Sequence, residues 1–200
     1  MKKFTKYILF ISLGLLCSCS DYLDIVPDNV TTLDIVFNNK NTAQRYLANC
    51  YHFVPDHGSV KRIPGMGAGH ECWFYTDKDS YFDNEVSFYI ARGLQNTNAP
   101  YANYWDGEGG SKLPMFRAIR ECNIFLSYVR DQHKVNDLTD SERKRWIAEV
   151  NVLKAYYHFF LFEHYGPIPI VDEALPVSTS SEGVKVTRMP VDQVVDFMVK

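Results

Sequence analysis

Apolar residues recur at helical spacing in four places along this chain, and between those places the period is lost. Ala43, Tyr46, Leu47, Cys50, Tyr51 and Val54 follow the i, i+3, i+4 rule over three turns, which predicts a helix stopped by Pro55. A second helix is predicted from Pro114 to Arg130, with Phe116, Ile119, Asn123, Leu126 and Val129 along one side. Pro114 suits the first helical position, after Ser111 or Leu113 as cap. The third helix is the clearest. Thr139-Asp140-Ser141-Glu142 has the form of a capping box, with Thr139 as cap and Glu142 at the third helical position. Trp146, Val150, Leu153, Tyr157, Phe160 and His164 then step by four and three until Tyr165-Gly166-Pro167 ends the run. Ile147, Phe159, Leu161 and Phe162 widen its apolar surface, so several neighbours are expected to pack on it. A fourth helix starts near Pro190, with Val191, Val194, Val195 and Met198 on one face. It reaches Lys200 with no stop signal. The expectation is the front part of a longer helical domain, whose further helices would close that face.

The stretches between these helices differ from one another. Ser20 to Asn39 carries Pro27 and several Asp and Asn without a sustained period, and reads as an extended leader. Asp56 to Gly110 holds most of the glycines, together with Trp73, Tyr75, Tyr81, Tyr89, Tyr101, Tyr104 and Trp105. A long loop-rich stretch of this kind is usually functional or disordered, and this one has too many aromatics for disorder. Ile168 to Arg188 follows Pro167, includes Pro169, Pro176 and the polar run Ser178-Thr179-Ser180-Ser181, and reads as a connector and loop.

The N-terminus changes the picture from a plain helical domain to an anchored one. Lys2, Lys3 and Lys6 precede an apolar run from Tyr7 to Leu16, and Leu16-Cys17-Ser18-Cys19 follows. The run is too short to span a bilayer, which takes about 20 residues, and its flanks are those of a secretory signal. Leucine three places before a cysteine is the pattern of lipoprotein processing, which makes Cys19 the expected first mature residue and lipidation site. A single acyl chain holds weakly, at about 0.8 kcal/mol per buried methylene, whereas two or more anchor durably. Cleavage before Cys17 fits less well, because Gly14-Leu15-Leu16 puts bulk next to the cut. A plain secreted protein cut elsewhere is the bland alternative. The expected organisation is a signal peptide over 1–18, a lipidated leader over 19–39 and a helical domain over 40–200.

Composition narrows the function. The formal net charge is −3, without the basic stripe a nucleic-acid binder needs. Thirteen Tyr, thirteen Phe and three Trp make the chain aromatic-rich, which serves cores and binding faces alike. Once Cys17 is removed and Cys19 acylated, Cys50, Cys72 and Cys122 remain. Three cysteines cannot all pair, so no disulfide framework is indicated. Cys50 and Cys122 fall in helical stretches and read as small buried hydrophobes. There is no CxxC and no metal-ligand spacing. The six histidines show no zincin spacing, and Gly65-Met66-Gly67-Ala68-Gly69 lacks the Lys-Ser/Thr of a phosphate loop. No cofactor is expected.

Four segments, in order, resemble the SusD/RagB family of surface lipoproteins. Cys19-Ser20-Asp21-Tyr22-Leu23-Asp24-Ile25-Val26-Pro27 is similar to the family's start. Arg45 to Tyr51 resembles its first helix. Trp105 followed by Met115 to Leu126 resembles its Trp…Ile…Asn-x-Phe-Leu helix. Ala148 to Phe159, running on to His164-Tyr165-Gly166-Pro167-Ile168-Pro169, is the strongest match. Family members usually carry arginine where this chain has Asn151 and Lys154, a departure expected to weaken local salt bridging. The resemblance implies an all-α fold of tetratricopeptide-like helix pairs with long irregular loops, and a chain more than twice this length. It also implies a SusC-type TonB-dependent transporter as partner and a glycan or peptide as ligand, with the lipoprotein as a lid.

A sugar site combines flat aromatic faces with Asn, Asp or Arg. Trp73, Tyr75 and Asp77, with Tyr81, Phe82 and Asn84, offer that mixture and are the expected ligand contacts. The alternative is that Trp73 and Tyr75 only pack the loop onto the helices. The family's starch-binding type member has Thr-Asp-Glu in this region. Here Thr76-Asp77-Lys78 loses the third acid, which speaks against starch itself. Trp105 is expected to be structural. Asp77, Asp79, Asp83 and Glu85 raise glycoside hydrolysis and calcium as possibilities. Clustered acids in a polar loop supply neither the opposed carboxyls of a hydrolase nor, with Tyr81 and Phe82 where an oxygen ligand and a glycine are needed, a calcium loop. The expected protein is therefore a non-catalytic nutrient receptor at the outer membrane. A structural adaptor of the transporter and a surface glycoside hydrolase are its rivals.

Overall fold

The computed structural model describes residues 32–59, 63–65, 67–69, 86–108, 112–175, 183 and 185–200. The chain divides into two units, Met1–Ile35 and Val36–Lys200. The six helices among the described residues are α1 (Leu33–Val36), α2 (Lys40–Tyr51), α3 (Val86–Ala91), α4 (Met115–Arg130), α5 (Asp140–Tyr165) and α6 (Val191–Val199). The described residues contain no strand. The fold is all-α, as the resemblance implies, and α2, α4, α5 and α6 fall where the periodicity predicts helices.

The α4–α5 hairpin is the frame. Ala118, Ile119, Cys122, Phe125, Leu126 and Val129 of α4 are buried against Trp146, Val150, Leu153, Tyr157, Phe160 and Leu161 of α5. The capping box at Thr139 forms as predicted: the Thr139 hydroxyl accepts from the Glu142 N–H, and the Glu142 carboxylate accepts from the Thr139 N–H. Lys40 adds an ion pair to the same carboxylate. That pair and the Thr139 hydrogen bonds hold the Glu142 carboxyl down at about 2. Arg143, one turn into α5, is buried. Its guanidinium donates to the carbonyls of Val129 (2.6 Å), Asp131 (3.1 Å), Lys134 (2.9 Å) and Val135 (3.0 Å). These include carbonyls at the C-terminal end of α4, which have no partner inside the helix. Val135 sits at φ 51°, a costly conformation for a β-branched residue. Its N–H donates to the Phe37 carbonyl (3.0 Å), which helps hold it there.

α2 packs on both members of the hairpin. Asn39 caps it by accepting from the Thr42 N–H (3.1 Å), and the Asp137 carboxylate accepts from the Lys40 N–H (2.8 Å). Ala43, Leu47 and Cys50 are buried as predicted. The helix ends at Tyr51, one turn before Pro55, so Tyr51 and Val54 point outward and Phe53 takes the core position. Two further differences from the sequence reading stand out. Phe37, assigned to the leader, is fully buried and stacks on Tyr128 at 4.5 Å. The segment from Val36 to Asn39 thus belongs to the helical unit. Pro114 is the N-cap of α4, with ψ 91°, and not its first helical residue. The first N–H of the helix, at Met115, donates instead to the Tyr104 carbonyl (3.0 Å).

Past α5, Gly166 turns at φ 68° and the connector runs back along the hairpin. Val194 of α6 is buried, while Val191, Val195 and Val199 are exposed. No helix among the described residues is long and apolar enough to cross a membrane.

Candidate functional site

Four polar side chains of α4 and α5 converge on the connector 168–175. Asn123 of α4 donates through its amide to the Val171 carbonyl (3.0 Å). Arg120, one turn earlier, donates to the Leu175 carbonyl (2.7 Å). From α5, the buried Lys154 ammonium donates to the Asp172 carbonyl (2.7 Å) and pairs with its carboxylate. The Lys154 hydrogen bond lowers the Asp172 carboxyl below its ordinary value. His158 uses both ring nitrogens: Nδ1 lies 2.7 Å from the Lys154 carbonyl, and Nε2 takes the Val171 N–H at 3.4 Å. That arrangement needs the neutral ring, with Nδ1 as the donor. Burial pushes the His158 ring down to about 4. The lysine that replaces the usual arginine therefore keeps a local ion pair, against the expectation of weakened salt bridging. Asn151 accepts from the Arg130 guanidinium (3.3 Å).

The aromatic stretch 86–105 is held residue by residue. α3 is a short helix inside the segment read as irregular, with Val86, Ser87 and Phe88 buried. The Ser87 hydroxyl donates to the Ile63 carbonyl at 3.3 Å. Ile63 and Ser87 lie on either side of the Trp73–Asn84 motif in sequence, and they meet in space. Tyr89 and Tyr101 stack, with centroids 4.0 Å apart and planes 10° from parallel. Both are half-buried, so the stack keeps an open edge. The Gln95 side-chain carbonyl accepts from the Tyr101 N–H (2.8 Å) and the Ala102 N–H (3.2 Å).

Behind this pair the chain enters the core. Tyr104 is fully buried between Phe160 (5.0 Å) and His164 (4.7 Å). The Tyr165 hydroxyl accepts from the Tyr104 N–H (2.9 Å) and donates to the Ala102 carbonyl (3.3 Å). Trp105 packs on Phe116 at 4.6 Å and edge-on to Tyr165 at 5.6 Å, with the Arg188 guanidinium 5.0 Å from its ring. It is a packing residue, as expected from its place ahead of α4. His164, which steps in sequence with the apolar stripe of α5, is exposed, and its ring touches Tyr104 and Phe160.

The expected ligand contacts Trp73, Tyr75, Asp77, Tyr81, Phe82 and Asn84 lie outside the described residues, as does Cys19. So do the acids Asp79, Asp83 and Glu85. Sequence reasoning missed the Tyr89–Tyr101 stack; both tyrosines stood out in composition, but no spacing rule joins a residue of a short helix to one twelve positions on in the following loop. It also missed a polar concavity of about 300 Å³ between α5 and α6, lined by Arg130, Asn151, Lys154, Asp172 and Phe197. Among the described residues no group of three His, Cys, Asp or Glu could hold a metal ion.

With this helical frame in place, comparison with known proteins decides the family. The model of a family described as "SusD-like: starch-binding associating with outer membrane" matches residues 21–200. The chain belongs to the SusD-like family. Among curated proteins none matches it by sequence. Solved SusD-like structures share its fold. One from Bacteroides fragilis superposes with a TM-score of 0.59 at 17% identity, over 83% of this chain and 29% of its own. A laminarin-binding SusD-like protein gives a TM-score of 0.60 at 18% identity, over 81% of this chain and 32% of its own. This chain thus spans about a third of the length of those SusD-like proteins. The family description is one of starch binding and outer-membrane association.

Proposed function

We propose that this SusD-like chain captures a glycan or oligosaccharide at the outer face of the outer membrane and passes it to a SusC-type TonB-dependent transporter. The observation that carries the reading is the family match over residues 21–200, with its starch-binding and outer-membrane description. The neighbour described as laminarin-binding supports a glucan-type ligand. Acylated Cys19 would hold the receptor at the membrane. Because anchoring and transporter docking both raise the local concentration of captured ligand, modest affinity suffices. Trp73, Tyr75, Tyr81 and Phe82 would supply faces for the apolar side of a pyranose, and Asp77 and Asn84 would bond its hydroxyls. The half-open Tyr89–Tyr101 stack adds a further face.

Isothermal titration of the full chain with a panel of glucans, other glycans and peptides tests this. Binding of at least one glycan is expected. Trp73→Ala and Tyr81→Ala should each weaken it by about tenfold, with unchanged circular dichroism. No glycan heat, with the transporter still co-purifying, would replace capture by the adaptor reading. Release of reducing ends from any polysaccharide would replace it by hydrolysis.

A further inference from the structure

Two cysteines that sequence reasoning treats as separate hydrophobes face each other. Cys50 on α2 and Cys122 on α4 are both fully buried free thiols, and they lie close enough to influence each other electrostatically. The register of the two helices fixes this. Glu121 of α4 accepts from the Tyr46 hydroxyl (2.5 Å) and lies 3.4 Å from the Asn49 amide. Glu121 therefore spans the α2 turn that ends at Cys50, and the next residue of α4 is Cys122. Ala43 and Ala118, also fully buried, are the other small side chains along these faces and allow close approach. The Tyr157 hydroxyl donates to the Cys50 carbonyl (2.5 Å) and holds this turn of α2 against α5.

We propose that Cys50 and Cys122 form a disulfide that staples α2 to α4 in the exported protein. The proposal rests on the reading that the chain leaves the cytoplasm, since disulfides persist in oxidising compartments. The chemistry is thiol–disulfide exchange with a protein or small-molecule disulfide. One cysteine thiolate attacks a sulfur of that partner and expels a thiol. The second cysteine attacks the mixed disulfide and expels the other. Two protons and two electrons pass from Cys50 and Cys122 to the partner, which departs as two thiols. Closing the bond brings the two free sulfurs to about 2.05 Å.

The neighbouring Cys122 thiol and burial push the Cys50 thiol far above its ordinary value, so the folded core supplies little attacking thiolate. The bond forms while the chain folds, and the closed core then shields it. Its placement matters for function. The bond would close the loop 51–121, which contains the whole aromatic stretch with Trp73–Asn84, Tyr89 and Tyr101. Cross-links across long loops constrain the unfolded chain most.

The test is mass spectrometry of full chain purified from membranes, in a Cys72→Ser background that removes the third thiol. The protein is alkylated with iodoacetamide in denaturant without reductant. The expected result is a linked pair of peptides carrying Cys50 and Cys122, about 2 Da lighter than the dithiol. Neither cysteine should take label until reductant is added, and reduction should lower the melting temperature. Labelling of both cysteines without reductant overturns the proposal. The same spectrum reads the Cys19 peptide. An acylated Cys19 with two free core thiols sinks the disulfide alone. An N-terminal peptide that still carries the signal sequence 1–18, with two free core thiols, sinks export and disulfide together.

Discussion

The α4–α5 hairpin and the stretch from Val86 to Trp105 are both rich in aromatic residues, yet they are ordered by different means. In the hairpin buried rings cluster, Phe125 and Phe160 each touching three others. Phe125 lies 5.9 Å from Phe37, 6.4 Å from Tyr46 and 6.1 Å from Trp146. Such a cluster is specified by period and volume. In the stretch, hydrogen bonds between side chains and backbone recur. Gln95 holds Tyr101, Asn96 accepts from the Ala99 N–H (2.8 Å), and Asn103 bonds Asp106 (2.6 Å). The hairpin therefore supplies stability, while the tethered stretch holds particular side chains at the surface, as a binding face requires. Loops on a rigid frame are the common place for such faces.

The largest expected effect comes from breaking the hairpin side of the contrast. Phe125→Ala removes a fully buried ring from the junction of α2, α4 and α5. It should cost about 3–5 kcal/mol, as large-to-small changes of aromatic core residues do. Urea unfolding of variant and parent measures it. A loss of under about 1 kcal/mol would mean that the neighbouring rings refill the space, and that packing here is less specific than its geometry implies.

Acid should act next most strongly, through the connector. His158 is held neutral by burial, with its folded value down at about 4 against an ordinary 6.5. Between those values the unfolded chain binds a proton that the folded chain refuses, so stability rises with pH across this window. The His158 contribution is complete above about pH 6.5 and is lost as pH falls toward 4. At roughly 1.4 kcal/mol per pH unit, the whole window amounts to the order of 3 kcal/mol. His158→Gln, which can donate to Lys154 and accept from Val171, should flatten the pH dependence of the melting temperature in that range. An unchanged slope would place the acid sensitivity elsewhere.

What the sequence shows of each region follows from the same contrast. Trp146, Val150, Leu153, Tyr157 and Phe160 were legible because burial along one helix leaves a period, and the Thr139 box was legible because capping chemistry is local. Arg143 was not. A charged residue one turn into a helix looks solvated, and only the fold brings the carbonyls at the end of α4 to its guanidinium. Phe37 was hidden for a similar reason: one ring in an aperiodic stretch gives no signal until Tyr128 and Phe125 are placed beside it. α3 is too short to establish a period. The Trp73–Asn84 motif was legible as chemistry, but its residues lie outside the described structure. Asn123 and Lys154 were legible as family motif positions and not as what they do, because their partner is the connector carbonyls, which no side-chain pattern announces.

The smallest effect sharpens the other side of the comparison. Ser87→Ala deletes the hydroxyl that donates to the Ile63 carbonyl (3.3 Å) where the two flanks of the Trp73–Asn84 motif meet. A net hydrogen bond is worth about 1 kcal/mol, and a buried carbonyl left without its donor adds to that. The global cost should therefore be about 1 kcal/mol, well below that of Phe125→Ala. The informative readout is local. If tethers position the aromatic stretch, hydrogen exchange at residues 86–91 should quicken in Ser87→Ala while α4 and α5 keep their protection. Glycan affinity should fall with it, since a loosened face pays more ordering entropy on binding. Equal quickening throughout the hairpin would show that the stretch and the frame unfold as one unit, and the division between stability and presentation would have to be given up.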